Sequence, residues 1–138
     1  MARLIPGVTA AAATLAVLLI LATTPASGHH SFAAYEPQKQ IKLAGEVTEF
    51  RWSNPHVYIR LNAPDAGGKT RQWLIECANP GILNRVGWKF NMIKVGDPLT
   101  VIVSPLRNGD PAALLKQVTL ADGRKFSNGG PAGRATIE

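Results

Sequence analysis

Between Ile41 and Cys77 the apolar residues fall on every second position, a period that only a β-strand with one buried face satisfies. Ile41, Leu43, Gly45 and Val47 alternate with Lys42, Ala44, Glu46 and Thr48. The apolar phase then slips by one residue at Phe50 and Trp52, as a β-bulge produces when a long strand bends around a barrel. Gly45 stands where a tightly coiled strand has no room for a side chain. After a Ser53-Asn54-Pro55 turn, Val57, Ile59 and Leu61 oppose His56, Tyr58 and Arg60. A loop at 64–68 leads to a third strand, in which Trp73, Ile75 and Cys77 oppose Gln72, Leu74 and Glu76.

The pattern then changes. Asn79-Pro80 predicts a helix N-cap with proline in the first turn. The helix is short, with Ile82, Leu83 and Val86 as its apolar stripe, Gly87 as its stop and Trp88 beyond it as a plug for the barrel bottom. Leu99–Ser104 and Ala112–Leu120 are two further strands joined by an Asn108-Gly109-Asp110 turn. Three strands, a helix and two strands predict an all-β fold. Specifically, they predict a small five-stranded barrel like the oligonucleotide/oligosaccharide-binding (OB) fold, with one short helix between strands three and four. A small open sandwich is the competing architecture.

The ends read differently. Val8–Ala22 is an almost unbroken run of Ala, Leu, Val, Ile and Thr behind Arg3, too short to span a bilayer and of the length of a signal-peptide core. Small residues allow cleavage after Ala26 or after Gly28. The expected organisation is a signal peptide at 1–28, a barrel domain with an N-terminal arm at 29–126, and a disordered tail at 127–138. The mature protein is expected to be periplasmic or secreted, without a membrane span. The charge of +6 comes from scattered Lys and Arg, which favours acidic surfaces weakly; nucleic acid is not an expected partner of an exported chain. Cys77 is the only cysteine, so no internal disulfide forms, and its strand position predicts a buried thiol.

Register carries the functional reading. The apolar faces of strands two and three point the same way, which pairs odd with odd positions and brings His56 opposite Glu76 to within two residues. Tyr58, Arg60, Gln72 and Glu76 then share the outer face, the expected ligand face. The three histidines, His29, His30 and His56, lie outside the core pattern and are the candidate metal ligands. Cleavage after Ala26 leaves Ser27-Gly28-His29, whose amine, two amides and imidazole suit square-planar Cu(II) or Ni(II). Cleavage after Gly28 makes His29 the first residue, chelating through amine and ring, with His30 or His56 completing the set. The leading expectation is therefore an exported, non-enzymatic binding module that takes Cu(II) or a small ligand, with no catalytic residue assigned. Two other readings stay open: a metal-dependent or acid–base enzyme built on His56 and Glu76, and a metal-free module that binds a protein partner.

The motifs His29-His30-Ser31-Phe32, Gly45-Glu46-Val47, Trp52-Ser53-Asn54-Pro55-His56 and Trp73-Leu74-Ile75-Glu76 follow one another here. Gly87-Trp88, Gly96-Asp97 and Asp122-Gly123 complete the series. In this order they resemble an uncharacterised family of small exported bacterial proteins, known only as a domain of unknown function. The resemblance covers residues 29–126. It implies that the His-His-Ser-Phe and Asn-Pro-His segments belong to one recurrent constellation, and it brings no activity, substrate or cofactor.

Overall fold

Each alternating segment of the sequence forms a strand in the computed structural model, which describes residues 32–129 and 135–137. The expected leader, with its expected cleavage sites, and His29 and His30 lie outside the described residues. Strand β1 spans Ile41–Arg51, β2 Tyr58–Pro64 and β3 Thr70–Glu76. Helix α1 spans Pro80–Arg85, followed by β4 (Pro98–Pro105), β5 (Ala112–Thr119) and β6 (Lys125–Ser127). The strand order is β3-β2-β1-β4-β5-β6, and an additional β3–β5 pairing closes the first five strands into a barrel. That closing seam is parallel, Leu74 to Ala112 through Glu76 to Leu114, while every other strand pair is antiparallel. A five-stranded barrel with a parallel closure and a helix between β3 and β4 is the OB-like architecture expected above.

β1 is long because it serves two neighbours. Its first half pairs with β4 and its second half with β2, and Glu46 is opposite a residue of each. The register of β1 with β2 shifts between Val47 and Glu49, the bulge that the slipped apolar phase predicts. Inward positions build the core: Val47, Ile59, Leu61, Ile75, Val101, Val103, Leu115 and Val118 have no exposed surface. Asn79 caps α1 as expected, its side chain accepting from Ile82 N at 2.9 Å, with Pro80 opening the helix. Of the expected apolar stripe only Leu83 is buried. A helix of six residues has under two turns, so a single position faces the core and Ile82 and Val86 stay at the surface.

Both ends of the domain are tied down by hydrogen bonds. After a short 3-10 turn at Phe32–Ala34, Tyr35 forms a bridge with Leu106, and Glu36 N donates to Pro105 O at 2.9 Å. Arg107 donates from its main chain to Ala34 O and from Nε to Ala33 O. At the other end the structure runs past the expected boundary at 126. Ser127 belongs to β6, and Asn128 is buried, its Oδ1 accepting from Ala78 N at 2.7 Å. Thr136 N donates to Gln40 Oε1. Main-chain ties of this kind leave no hydrophobic period, which is why a tail starting at Ser127 looks unstructured in the sequence. Among the described residues no helix is long and apolar enough to cross a membrane.

A candidate binding site around His56 and Glu76

The pairing of β2 with β3 continues one residue beyond the strands. Cys77 N donates to Val57 O at 2.8 Å, and Val57 N to Ala78 O at 3.2 Å. Val57 is therefore held inward with no exposed surface, and the alternation puts His56 and Tyr58 on the outer face. Tyr58 is opposite Glu76, so His56 is its diagonal neighbour, inside the two-residue margin of the register argument. His56 Nδ1 lies 3.1 Å from Cys77 O and 3.5 Å from Glu76 Oε1. A carbonyl oxygen only accepts, so Nδ1 carries the proton and a neutral ring holds its lone pair on Nε2.

Glu76 is the one carboxylate among the described residues that is buried, 9% exposed. Its second oxygen accepts a 2.8 Å hydrogen bond from the Tyr35 hydroxyl, 41 positions away in the chain. The carboxylate thus joins the N-terminal arm to the His56 turn. Tyr58 completes the cluster, its ring 6.4 Å edge-on from that of His56 and covered by the Arg51 guanidinium at 4.9 Å. Burial raises the Tyr58 pKa, the Glu76 charge adds to the rise, and Arg51 opposes it. Burial likewise pushes the Cys77 thiol upward, with Glu76 adding to it, so Cys77 stays a neutral thiol facing the core, as its strand position predicts.

The expected ligand face divides in two. Glu76 and Tyr58 gather with His56, whereas Arg60 and Gln72 lie farther along the strands and are held by β1. Arg60 Nε bonds Glu49 Oε2 at 2.8 Å, and Gln72 Nε2 donates to Thr48 Oγ1 at 3.3 Å. Tyr35 and Arg51 are members of this cluster that the sequence reading missed. Arg51 was findable, because it pairs across the sheet with Tyr58 at the end of β1. Tyr35 lies in a stretch with no periodicity, and nothing local points to a partner at position 76.

Ser53 Oγ is engaged with His56 O at 3.1 Å, and the Cys77 thiol faces inward, so neither is a nucleophile for the His56–Glu76 pair. The arrangement orients an imidazole. Among the described residues no three His, Cys, Asp or Glu side chains converge to hold a metal ion. Of the three expected metal ligands, His56 is the one that lies among the described residues.

The Tyr35–Glu76 bond has a testable sign. Burial, the hydrogen bond to Glu76 and the negative charge there raise the Tyr35 pKa well above its ordinary 10.0. A tyrosine whose pKa is higher in the folded state stabilises the fold fully below its unfolded pKa, and the contribution disappears as pH rises through the folded value. Tyr35→Phe is expected to cost about 1–2 kcal/mol at neutral pH. In a thermal-melting series it also removes part of the loss of stability above pH 10, to which Tyr58 and the buried Cys77 thiol contribute with the same sign. An unchanged alkaline limb would show that the bond does not govern arm docking.

No curated protein matches this sequence. Two crystal structures of a mitochondrial single-stranded DNA binding protein from S. cerevisiae, Rim1, have a similar chain path. One shares 15% identity over 60% of this chain and 93% of its own, with a TM-score of 0.45. The other, from selenomethionine-labelled protein, shares 16% over 59% and 92%, with a TM-score of 0.42. The fold itself rests on the strand register given above. The sequence profile of a family of unknown function, DUF6152, matches residues 16–116 and so takes in the arm, the His56 turn, Glu76 and β1 to β4. The chain belongs to this family.

Proposed function

We propose that the protein is an exported, non-enzymatic binding module that holds Cu(II) between His56 and the amino-terminal histidines His29 and His30. The observation that carries the reading is the anchoring of His56. Its Nδ1–H is held between Cys77 O and Glu76 Oε1, which makes Nε2 the coordinating nitrogen. A metal-binding histidine characteristically gives its other ring nitrogen to a carboxylate or a carbonyl in this way.

Chain length supports the second half of the reading. Tyr35 is bonded to the same carboxylate that His56 approaches, and His30 stands five positions before it in the chain. Five or six chain steps span at most about 18–22 Å, the length over which the reading requires residues 30 and 29 to fold back. Signal cleavage after Ala26 or Gly28 would add a free amine to the donor set. Imidazole and amine nitrogens favour Cu(II) over hard cations.

The test starts from the protein as processed on export, with its first residue fixed by intact mass. Cu(II) is titrated calorimetrically and followed by electron paramagnetic resonance. His56→Ala is expected to weaken binding at least tenfold and to change the spectrum, and replacing His29 and His30 together should abolish it. Identical affinity and spectrum in His56→Ala would reduce the site to a simple peptide chelate. Unchanged binding without His29 and His30 would reject the amino-terminal ligands.

A further inference from the structure

We propose that two turns beyond α1, tipped by Phe90 and Val95, dock this protein on an anionic lipid surface. Residues 89–92 form a β-turn closed by Met92 N donating to Lys89 O at 3.2 Å. Residues 94–97 form a second, closed by Asp97 N donating to Lys94 O at 3.1 Å. The two turns repeat one pattern: a lysine opens each, and a large apolar residue takes the next position. Phe90 is 69% exposed and Val95 70%, the most exposed large apolar side chains among the described residues.

Turn chemistry does not ask for these residues, since that position is ordinarily filled by proline or small polar side chains. The turns are also firmly held. Trp88, Ile93 and Leu99 are buried before, between and after them. Gly96 N donates to Val47 O at 2.8 Å, Val47 N to Asp97 O at 3.0 Å, and Asp97 Oδ2 accepts from Lys94 N at 2.8 Å. The fold therefore keeps Phe90 and Val95 out in water although the same backbone would carry polar residues there.

Charge selects the occupant. From Ala78 to Gly96 the sequence holds Arg85, Lys89 and Lys94, all exposed, and no Asp or Glu; Asp97, which closes the second turn, is the one carboxylate of the two turns, and its Oδ2 accepts from Lys94 N. Apolar tips beside ammonium groups suit a bilayer interface: single side chains enter the acyl boundary while the lysines remain among the phosphates. The contact lies outside the His56 cluster and does not depend on the copper reading.

Asn91→Cys, labelled with a polarity-sensitive fluorophore, reports on the first tip directly, because Cys77 is buried and leaves the new thiol as the one that reacts. Vesicles of phosphatidylcholine mixed with phosphatidylglycerol should shift the dye to the blue, and vesicles of phosphatidylcholine alone should not. Added salt should reverse the shift. Phe90→Ala should weaken binding roughly tenfold. Replacing Lys89 and Lys94 together by Gln should weaken it roughly twentyfold. A dye that stays unchanged, even while the protein sediments with the vesicles through another region, overturns the proposal. So does equal binding to uncharged vesicles. A shift produced by an acidic polypeptide in place of lipid would reassign the tips to a protein partner.

Discussion

Gly45→Ala is expected to destabilise the barrel by at least about 3 kcal/mol, the upper end of what overpacking costs, and to lower the yield of folded protein. The residue occupies an inward position of β1, between the buried Leu43 and Val47, where an apolar side chain would ordinarily help the core. No space exists for one. A Cβ there would collide with the carbonyl oxygen of Asn62 and approach Asn62 C at 2.8 Å and Ala63 Cβ at 2.9 Å. Two of these atoms are main chain and the third is a Cβ that no rotamer can move, and all are fixed by the pairing of Asn62 and Ala63 with Gln72 and Arg71. Relief would require β2 to leave β3 or β1 to lose its coil. Gly68 supplies the control: its φ of +80° strains any replacement, but nothing lies within 4 Å of an added Cβ. Gly68→Ala should therefore cost only about 1–2 kcal/mol. Urea denaturation of the two variants separates the mechanisms; equal midpoints would mean that close approach at Gly45 is not what demands glycine.

That glycine also shows what kind of information the sequence displays. Gly45 was legible because it interrupts an alternating strand just before the apolar phase slips, and both signals arise within a few residues. Parity did similar work for the site. Once Val57, Ile59 and Leu61 face the core along with Trp73, Ile75 and Cys77, His56 and Glu76 have to emerge on the same outer face. What remained hidden depends on contacts between distant segments. Tyr35 reaches Glu76 across 41 positions, and no local pattern encodes that bond. β6 is three residues long, too short for a period to show, and Asn128 is buried by hydrogen bonds to Ala78 and Lys116. The split of the ligand face escaped for the same reason. Arg60 and Gln72 do share a face with Tyr58 and Glu76, but Glu49 and Thr48 of β1 hold their polar ends elsewhere.

Trp88→Ala is expected to cost about 3–5 kcal/mol, a large part of the stability of a domain this size. Trp88 is the largest side chain with no exposed surface among the described residues, and it belongs to the hydrophobic core. Its indole also does what an aliphatic plug could not: Nε1 donates to Ser127 O at 2.9 Å, and the ring meets Phe126 edge-on with centroids 6.3 Å apart. One side chain thereby fills the core and fastens β6. Trp73 provides the comparison, being similarly buried at 6% exposed but with no hydrogen-bond partner for Nε1. Conversion to phenylalanine should therefore separate the two positions. Trp88→Phe leaves the Ser127 carbonyl without its donor and opens a small cavity, for about 2–3 kcal/mol together. Trp73→Phe opens a similar cavity but removes an orphaned buried donor, so the two effects oppose and the loss should stay below about 1 kcal/mol. Amide hydrogen exchange should also show β6 opening early in Trp88→Phe and not in Trp73→Phe. Should the two variants melt together with equal protection at Phe126 and Ser127, the indole bond is not what holds the last strand.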